Sequence, residues 1–288
     1  MPFFSVVIPV HNGSRFIHDA LDSLDQQTMR DFEVILVDDG STDDSLEIIQ
    51  AWAHAKKDNK VTVISQSNLG LGAARNRGVE KASGTWLVFL DADDRWVPDK
   101  LERIESCLAG NGSVKWGYHP CWNQREDGKL SRRRTYILRS LDQLLDEGSP
   151  IQPSACFIHT GTYRKVGGFE EDRSGVEDIG LWVRLLKSGH IPEFLPFRMT
   201  YYRIGVGVSS QHAPHLEKVL YAWSNLRKKG ILDREQVARA RSRTYYEAGC
   251  LARRSGDFRH ALRYFRRSDR DDWKVRVHGT LAKLHIKV

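Results

Sequence analysis

No stretch of the 288 residues approaches the roughly 20 uncharged apolar positions that a membrane-spanning helix needs. Nor does the start, Met1-Pro2-Phe3-Phe4-Ser5, offer a basic n-region followed by an apolar h-region, so no secretory leader is expected. Cysteine is scarce. Cys107, Cys121, Cys156 and Cys250 stand far apart, without Cys-x-x-Cys or Cys/His ligand spacing, which argues against a zinc site or a disulfide framework. The expectation is four reduced thiols and a cytoplasmic address. What the chain does have is an ordinary globular composition, 40% hydrophobic and 28% charged, at a length that closes at least one large core.

The net charge of +7 is unevenly spread: residues 1–100 carry 10 Lys/Arg against 16 Asp/Glu, whereas residues 215–288 carry 19 against 8. An acidic first third argues against polyanion binding there and leaves the basic tail as the surface for an anionic partner.

Across the first hundred residues, short apolar runs alternate with helical patterns. Ser5–Val10, Phe32–Val37, Val61–Ile64 and Thr85–Leu90 read as strands, and 16–27, 44–55 and 73–82 as the helices between them. Strands with little alternation, each followed by a helix, predict a parallel sheet covered on both faces. Ligands of such sheets bind beyond the carboxyl ends of the strands, and three of these ends are polar here: His11-Asn12, Asp38-Asp39 and Asp91-Ala92-Asp93-Asp94. One Asp at a strand end is accounted for by capping the next helix. Three within four positions repel one another and call for a compensating cation, for which oxygen ligands favour Mg²⁺ or Mn²⁺.

Gly70-Leu71-Gly72 follows a strand and opens a helix, but Arg75 stands where the third glycine of a dinucleotide fingerprint would be, so that fingerprint is not read here. Gly72 lets the backbone approach a ligand, and Arg75 either faces a phosphate or makes a surface ion pair. Glu177-Asp178 precedes Ile179, Leu181, Trp182, Leu185 and Leu186, a helical apolar pattern. On that pattern alone the two acids are first-turn residues favoured by the helix dipole. Within residues 110–155, Trp116, Tyr118, His119, Trp122 and Tyr136 suit either the core or packing on the apolar face of a sugar ring, and Arg132-Arg133-Arg134 either a solvated face or an anionic ligand.

From about Pro214 the pattern turns helical and rich in Arg. Tyr246, Gly249, Gly256, Phe258, Ala261 and Phe265 have the spacing of a single tetratricopeptide-type hairpin near 245–268. One such unit cannot bury its own face, so it is expected to pack on the rest of the chain or on a second copy. Its arginines (253, 254, 259, 263, 266, 267 and 270), with Trp273 and the Lys283–Lys287 end, fit either a solvated face or a peripheral contact with an anionic inner leaflet. No nucleic-acid-binding module is present, so nucleic acid is not an expected partner.

Five stretches, Ser5–Asn12, Val37–Asp43, Asn68–Asn76, Phe89–Asp94 and Glu177–Arg184, occur in the order and spacing of the family 2 glycosyltransferases of the GT-A fold, which residues 3–210 closely resemble. The resemblance implies an α/β, Rossmann-like, mostly parallel sheet with helices on both faces over residues 1–212. Within it, 1–100 form a nucleotide-binding half and 101–212 an acceptor-binding half, followed by a basic helical subdomain at 213–288. It implies inverting transfer of a sugar from a nucleotide-sugar, first of all a UDP-sugar, to a carbohydrate or lipid-linked acceptor in polysaccharide, lipopolysaccharide or glycolipid synthesis. By this resemblance Pro9 and Asp39 flank the nucleobase, Asp39 accepting a base N–H, while Val10, His11, Asn12, Gly72, Arg75 and Ala92 belong to the same donor site. Asp91 faces the ribose, and Asp93 binds the Mn²⁺ or Mg²⁺ that bridges the diphosphate. Asp178 is the general base, with Glu177 and Trp182 supporting it or meeting the acceptor. Arg203 belongs to a segment, Tyr201–Ser210, placed over the donor phosphates. The alternative is a non-catalytic nucleotide- or sugar-binding protein of the same fold, which the intact Asp91, Asp93 and Asp178 oppose.

Overall fold

The computed structural model describes residues 1–56, 60–171, 176–205, 212–268 and 273–284. The expected alternation is present as β1 (Phe4–Val10), α1 (Ile17–Asp25), β2 (Phe32–Asp39), α2 (Ser45–Ala55), β3 (Val61–Gln66), α3 (Leu71–Lys81) and β4 (Trp86–Phe89). Next come β5 (Arg95–Trp96), α4 (Lys100–Ala109), β6 (Trp116–Tyr118), β7 (Cys121–Gln124), β8 (Leu130–Arg132) and α5 (Leu141–Glu147). They are followed by β9 (Cys156–His159), α6 (Thr160–Val166), α7 (Asp178–Lys187), β10 (Glu193–Phe194) and β11 (Thr200–Arg203). The remaining helices are α8 (His212–Lys228), α9 (Arg234–Ser255), α10 (Phe258–Arg267) and α11 (Trp273–Lys283).

Among the described residues the main sheet has seven strands in the order β10-β6-β9-β4-β1-β2-β3, and a smaller one has the order β5-β11-β7-β8. In the main sheet β9 runs antiparallel to both its neighbours, and the other pairs are parallel. All seven residues of β1 are buried, since the strand lies between β2 and β4 with both faces covered, and this explains its unbroken apolar run. One face packs on Ile17, Leu21 and Leu24 of α1 and on Leu101 and Ile104 of α4. Each such side chain, fully buried, contributes about 1.5–3 kcal/mol. On the other face Gly78 of α3 sits over Val7; a Cβ there would stand 2.4 Å from a Val7 methyl, so only glycine lets the helix approach this closely.

Pro9 fits a central strand because of where the sheet opens. Val7 pairs with Phe89 and accepts the Leu90 N–H at 3.1 Å, the last bond between β1 and β4. Two residues on, Pro9 points the same way into the gap where β4 has already turned off, so its missing N–H breaks no ladder. The chain adds β2 and β3 on one side of β1 and β4 on the other, which makes this gap the switch point where an open α/β sheet receives ligands.

The chain folds into two units, one of residues 1–139 and 150–205, the other of residues 140–149 and 206–288. This differs from the boundary expected at 212–213, because the segment carrying α5 joins the later helices. Leu144 and Leu145 of α5 are buried, and polar contacts join the segment to α9. Arg239 of α9 reaches Asp142 at 2.7 Å and Asp146 at 2.6 Å, and Arg243 donates to the Glu147 carbonyl at 2.8 Å. In this second unit Gly256, at φ +87°, ends α9, and the Asp257 side chain accepts the His260 N–H at 3.1 Å to start α10. The Phe265 ring fills the space beside Gly249, where a Cβ would come within 2.6 Å, and Ala252, Ala261 and Ala282 complete a small core. No helix among the described residues is long and apolar enough to cross a membrane.

Candidate active site

The loops after β1 and β2 are stapled together beside the gap. Asn12, a non-glycine residue at φ +50°, accepts the Thr42 N–H at 2.8 Å, and the Gly13 and Ser14 N–H groups bond to Ser45 Oγ and Asp43 at 2.8 and 3.0 Å. His11 Nδ1 lies 3.0 Å from the Asp39 carbonyl oxygen, so Nδ1 carries the proton and Nε2 accepts from Asn68 at 3.1 Å. Pro9 and Val10 are buried under this loop, while His11 and Asn12 are exposed. Asp39 is 2% exposed and accepts three donors at 2.8 Å: the Leu69 and Gly70 N–H groups and the Gln66 side chain. Its carboxylate therefore organises the loop that begins α3.

After β4, Asp91 and Asp93 are half-buried and Asp94 fully buried. Burial, followed by the Asp91 charge, pushes the Asp93 carboxyl up to about 6. Burial, together with Asp93 and Asp91, raises Asp94 well above the carboxylate range. Asp94 Oδ1 accepts the Arg203 N–H at 3.0 Å, and its other oxygen has no hydrogen-bond partner among the described residues. This concentration of acid fits a cation. Three or more metal-binding side chains do not converge among the described residues, so a metal held by Asp93, with Asp91 beside it, would complete its shell from a ligand's phosphates and water. Arg203 lies against the cluster: Nε donates to the Asp93 carbonyl at 3.0 Å, its guanidinium pairs with Asp19 at 2.7 Å and covers the Phe16 ring at 4.4 Å. The rest of the segment expected over the phosphates, Val206–Ser210, lies outside the described residues.

Arg75, left open between a phosphate and a surface ion pair, is neither: it is 1% exposed and bridges two carboxylates. One terminal nitrogen reaches Asp91 at 2.5 Å, the other bonds to Glu177, and the Phe169 ring lies 5.0 Å beneath. Burial alone would weaken its proton, but Asp91 and Glu177 outweigh that and hold it charged. Gly72 has a packing reason as well, since a Cβ there would stand 1.9 Å from the Glu170 carbonyl oxygen and 3.1 Å from Glu177 Cβ. Asn76 completes the clasp, donating to the Phe169 carbonyl at 3.1 Å and accepting the Tyr163 hydroxyl at 2.6 Å. Thus the Asn68–Asn76 motif seats the segment that leads into α7.

Asp178 is the first residue of α7 and partly exposed. Burial, and next the Glu177 charge, pushes it up to about 6. Trp182 does not face an acceptor; it is fully buried, donates its indole N–H to Asp178 Oδ2 at 3.0 Å, and stacks on Trp116 with centroids 5.5 Å apart. Trp116, Tyr118 and His119 are core residues, whereas Trp122 is half-buried under Arg198. Sequence reasoning missed Ser154, whose Oγ accepts the Asp91 N–H at 3.0 Å and whose carbonyl accepts from Trp96, Lys100 and Thr200 at 3.0, 2.6 and 2.8 Å. A single serine carries no signal of that role in the sequence.

The model of the family described as glycosyl transferase family 2 matches residues 5–158, which include four of the five motifs. The amylovoran biosynthesis glycosyltransferase AmsB of Erwinia amylovora is 29% identical over 258 residues, 81% of this chain and 80% of its own. Staphylococcus aureus TarS, solved in complex with UDP-GlcNAc, has a TM-score of 0.66 at 17% identity, covering 99% of this chain and 88% of that one. The mannosyltransferase PcManGT from Pyrobaculum calidifontis, in complex with GDP-Man and Mn²⁺, has a TM-score of 0.64 at 18% identity, covering 98% and 80%. These structures share the GT-A fold. Two Bacillus subtilis glycosyltransferases are matched over only 29% and 39% of their length, so the chain spans less than half of those relatives. On the family match and the motifs it covers, the chain belongs to glycosyl transferase family 2.

Proposed function

We propose that the chain is an inverting glycosyltransferase that moves a sugar from a nucleotide-sugar to an acceptor hydroxyl, with Asp178 as general base. The observation that carries this reading is the single guanidinium of Arg75 joining Asp91 to Glu177, which brings the donor-side carboxylates and Asp178 to one place. A carboxyl raised to about 6 is well matched to taking a proton near neutral pH. Asp178 accepts the acceptor's proton, the acceptor oxygen attacks the anomeric carbon, and the nucleoside diphosphate leaves from the opposite face. Asp91, Ala92, Asp93, His11 and Asn12 bind the donor at the gap between β1 and β4. UDP is the first nucleotide to test because TarS was solved with UDP-GlcNAc, and GDP the second because PcManGT was solved with GDP-Man. Asp93 holds Mn²⁺ or Mg²⁺, a reading supported by the acid excess and by the Mn²⁺ of PcManGT; when bound, the cation offsets the charge that develops on the departing diphosphate.

The transferred group is a hexose or N-acetylhexosamine, and the acceptor a growing polysaccharide or lipid-linked glycan, in keeping with the role in AmsB's name. Four free cysteines support a cytoplasmic setting. Peripheral contact with the inner leaflet is supported by α10, where Arg259, Arg263 and Arg266 are exposed and have no carboxylate within salt-bridge distance among the described residues. A thermal-shift screen of nucleotides and nucleotide-sugars with Mn²⁺ and Mg²⁺ tests the donor reading: stabilisation by one nucleotide class supports it, and a flat response to all of them defeats it.

A further inference from the structure

We infer that Arg75 is a positioning residue that ties the donor-side carboxylate Asp91 to the Glu177–Asp178 pair, and not a ligand of the donor phosphates. The inference rests on the proposed role of Asp178 and adds to it a route by which the two halves of the site are held in register. Geometry leaves Arg75 little else to do. Its side chain is 2% exposed, one terminal nitrogen is committed to Asp91 and the other to Glu177, and Phe169 covers the guanidinium face. A phosphate would have to displace one of these carboxylates, and that would strand a buried charge.

The bridge also explains why Glu177 is tolerated where it is. Only 5% of its side chain is exposed, one oxygen has no hydrogen-bond partner among the described residues, and it adjoins another acid. Without Arg75, two neighbouring carboxylates would repel each other in a poorly solvated place. With Arg75, Glu177 is held in place, and Asp178 at the next position is set by a chain of contacts: Arg75 to Glu177, Glu177 to its chain neighbour Asp178, and Asp178 to the Trp182 indole. The groups acting on Asp178 come from three elements: Glu177 and Trp182 with α7, Arg75 from α3, and Cys156 from β9. Lysine cannot replace the guanidinium here, because one ammonium cannot hold two carboxylates at separate nitrogens.

The Trp182 indole N–H gives a readout that needs no turnover. In the full chain labelled with ¹⁵N-tryptophan, its signal, assigned by Trp182→Phe, is followed against pH in the wild type, Arg75→Lys, Glu177→Gln and the double variant, with UDP affinity measured on each by calorimetry in Mn²⁺. Glu177→Gln removes the adjoining like charge and lowers the Trp182 midpoint by about half a pH unit or more. Arg75→Lys raises it, and does so little once Glu177 is Gln, because the effect passes through that residue. UDP affinity stays within about threefold in Glu177→Gln. The inference is overturned if Arg75→Lys lowers UDP affinity tenfold or more while leaving the Trp182 midpoint in place, or if the two substitutions act additively on that midpoint. Should Arg75→Lys fail to fold, Glu177→Gln decides alone, since an unmoved Trp182 midpoint breaks the chain of contacts. If UDP binds none of the proteins, the donor reading fails, yet the Trp182 titration still tests the bridge.

Discussion

The main-chain N–H of Arg203 bonds to Asp94 Oδ1 at 3.0 Å, tying together positions 109 residues apart and fixing β11 against the acidic loop after β4. Burial, together with the Asp93 and Asp91 charges, pushes the Asp94 carboxyl up, which disfavours its ionised form. Asp94→Asn, which keeps an acceptor for the Arg203 N–H, should retain wild-type stability at neutral pH. Asp94→Ala strands that N–H and should cost about 1–3 kcal/mol. Urea denaturation of the two variants checks the difference.

Gly72→Ala should disrupt the site without replacing any charged group. The added methyl would stand 1.9 Å from the Glu170 carbonyl oxygen, so α3 must move away from the segment that leads to Asp178. Overpacking of this kind costs about 1–3 kcal/mol, and transfer should fall by more than nucleotide binding does. Denaturant midpoints, with UDP calorimetry on the folded variant, measure both effects.

Asp178→Asn should bind the donor as the wild type does and lose two or more orders of magnitude in turnover, about the usual contribution of a general base. A fully active Asp178→Asn in a donor-consumption assay would place the base elsewhere. The same substitution has a pH signature. Asp178 titrates near 6 in the folded protein, above an ordinary carboxyl at about 4, so the folded form holds an extra proton between these values. Its contribution to stability is therefore present below about 4 and is lost as pH rises through about 6. Relative to the wild type, the asparagine variant should gain stability across that window and level off above it, as read by melting temperatures from pH 4 to 7.5.

Asp93→Asn should remove the metal dependence of UDP binding. Equal UDP affinity of the wild-type chain with and without Mn²⁺ in calorimetry would overturn the metal assignment.

Reversal of charge on α10, as Arg259→Glu with Arg263→Glu, should abolish sedimentation with vesicles containing phosphatidylserine while leaving UDP affinity unchanged. Binding of the wild type that persists on neutral vesicles would remove the electrostatic basis of this contact.

The parallel α/β half was legible because its central strands β1 and β2 are buried on both faces, so Val6–Val10 and Val34–Val37 read as unbroken apolar runs with helices of regular spacing between the strands. The acidic strand end at Asp91–Asp94 was legible for the same reason: strand direction alone places it at the ligand edge. Arg75 was not, because whether an arginine meets a phosphate, water or a buried acid depends on Glu177, 102 positions away. Trp182 was likewise ambiguous. Helical spacing gives it an apolar face but does not say that its indole nitrogen ends on Asp178. The sequence also showed α5 only as a stretch between the two halves; its Asp142 and Asp146 pair with Arg239 of α9, and its Glu147 carbonyl accepts from Arg243, contacts set by residues 93 to 97 positions away.

By itself the sequence determined the alternation of strand and helix, the acidic ligand edge and the chain's sparing use of cysteine, because hydrophobic period and strand direction are local properties. Tertiary structure alone decided that Asp91, Arg75, Glu177 and Asp178 form one connected array, since a buried guanidinium is stable only where the fold supplies acceptors for it, here one carboxylate at each terminal nitrogen.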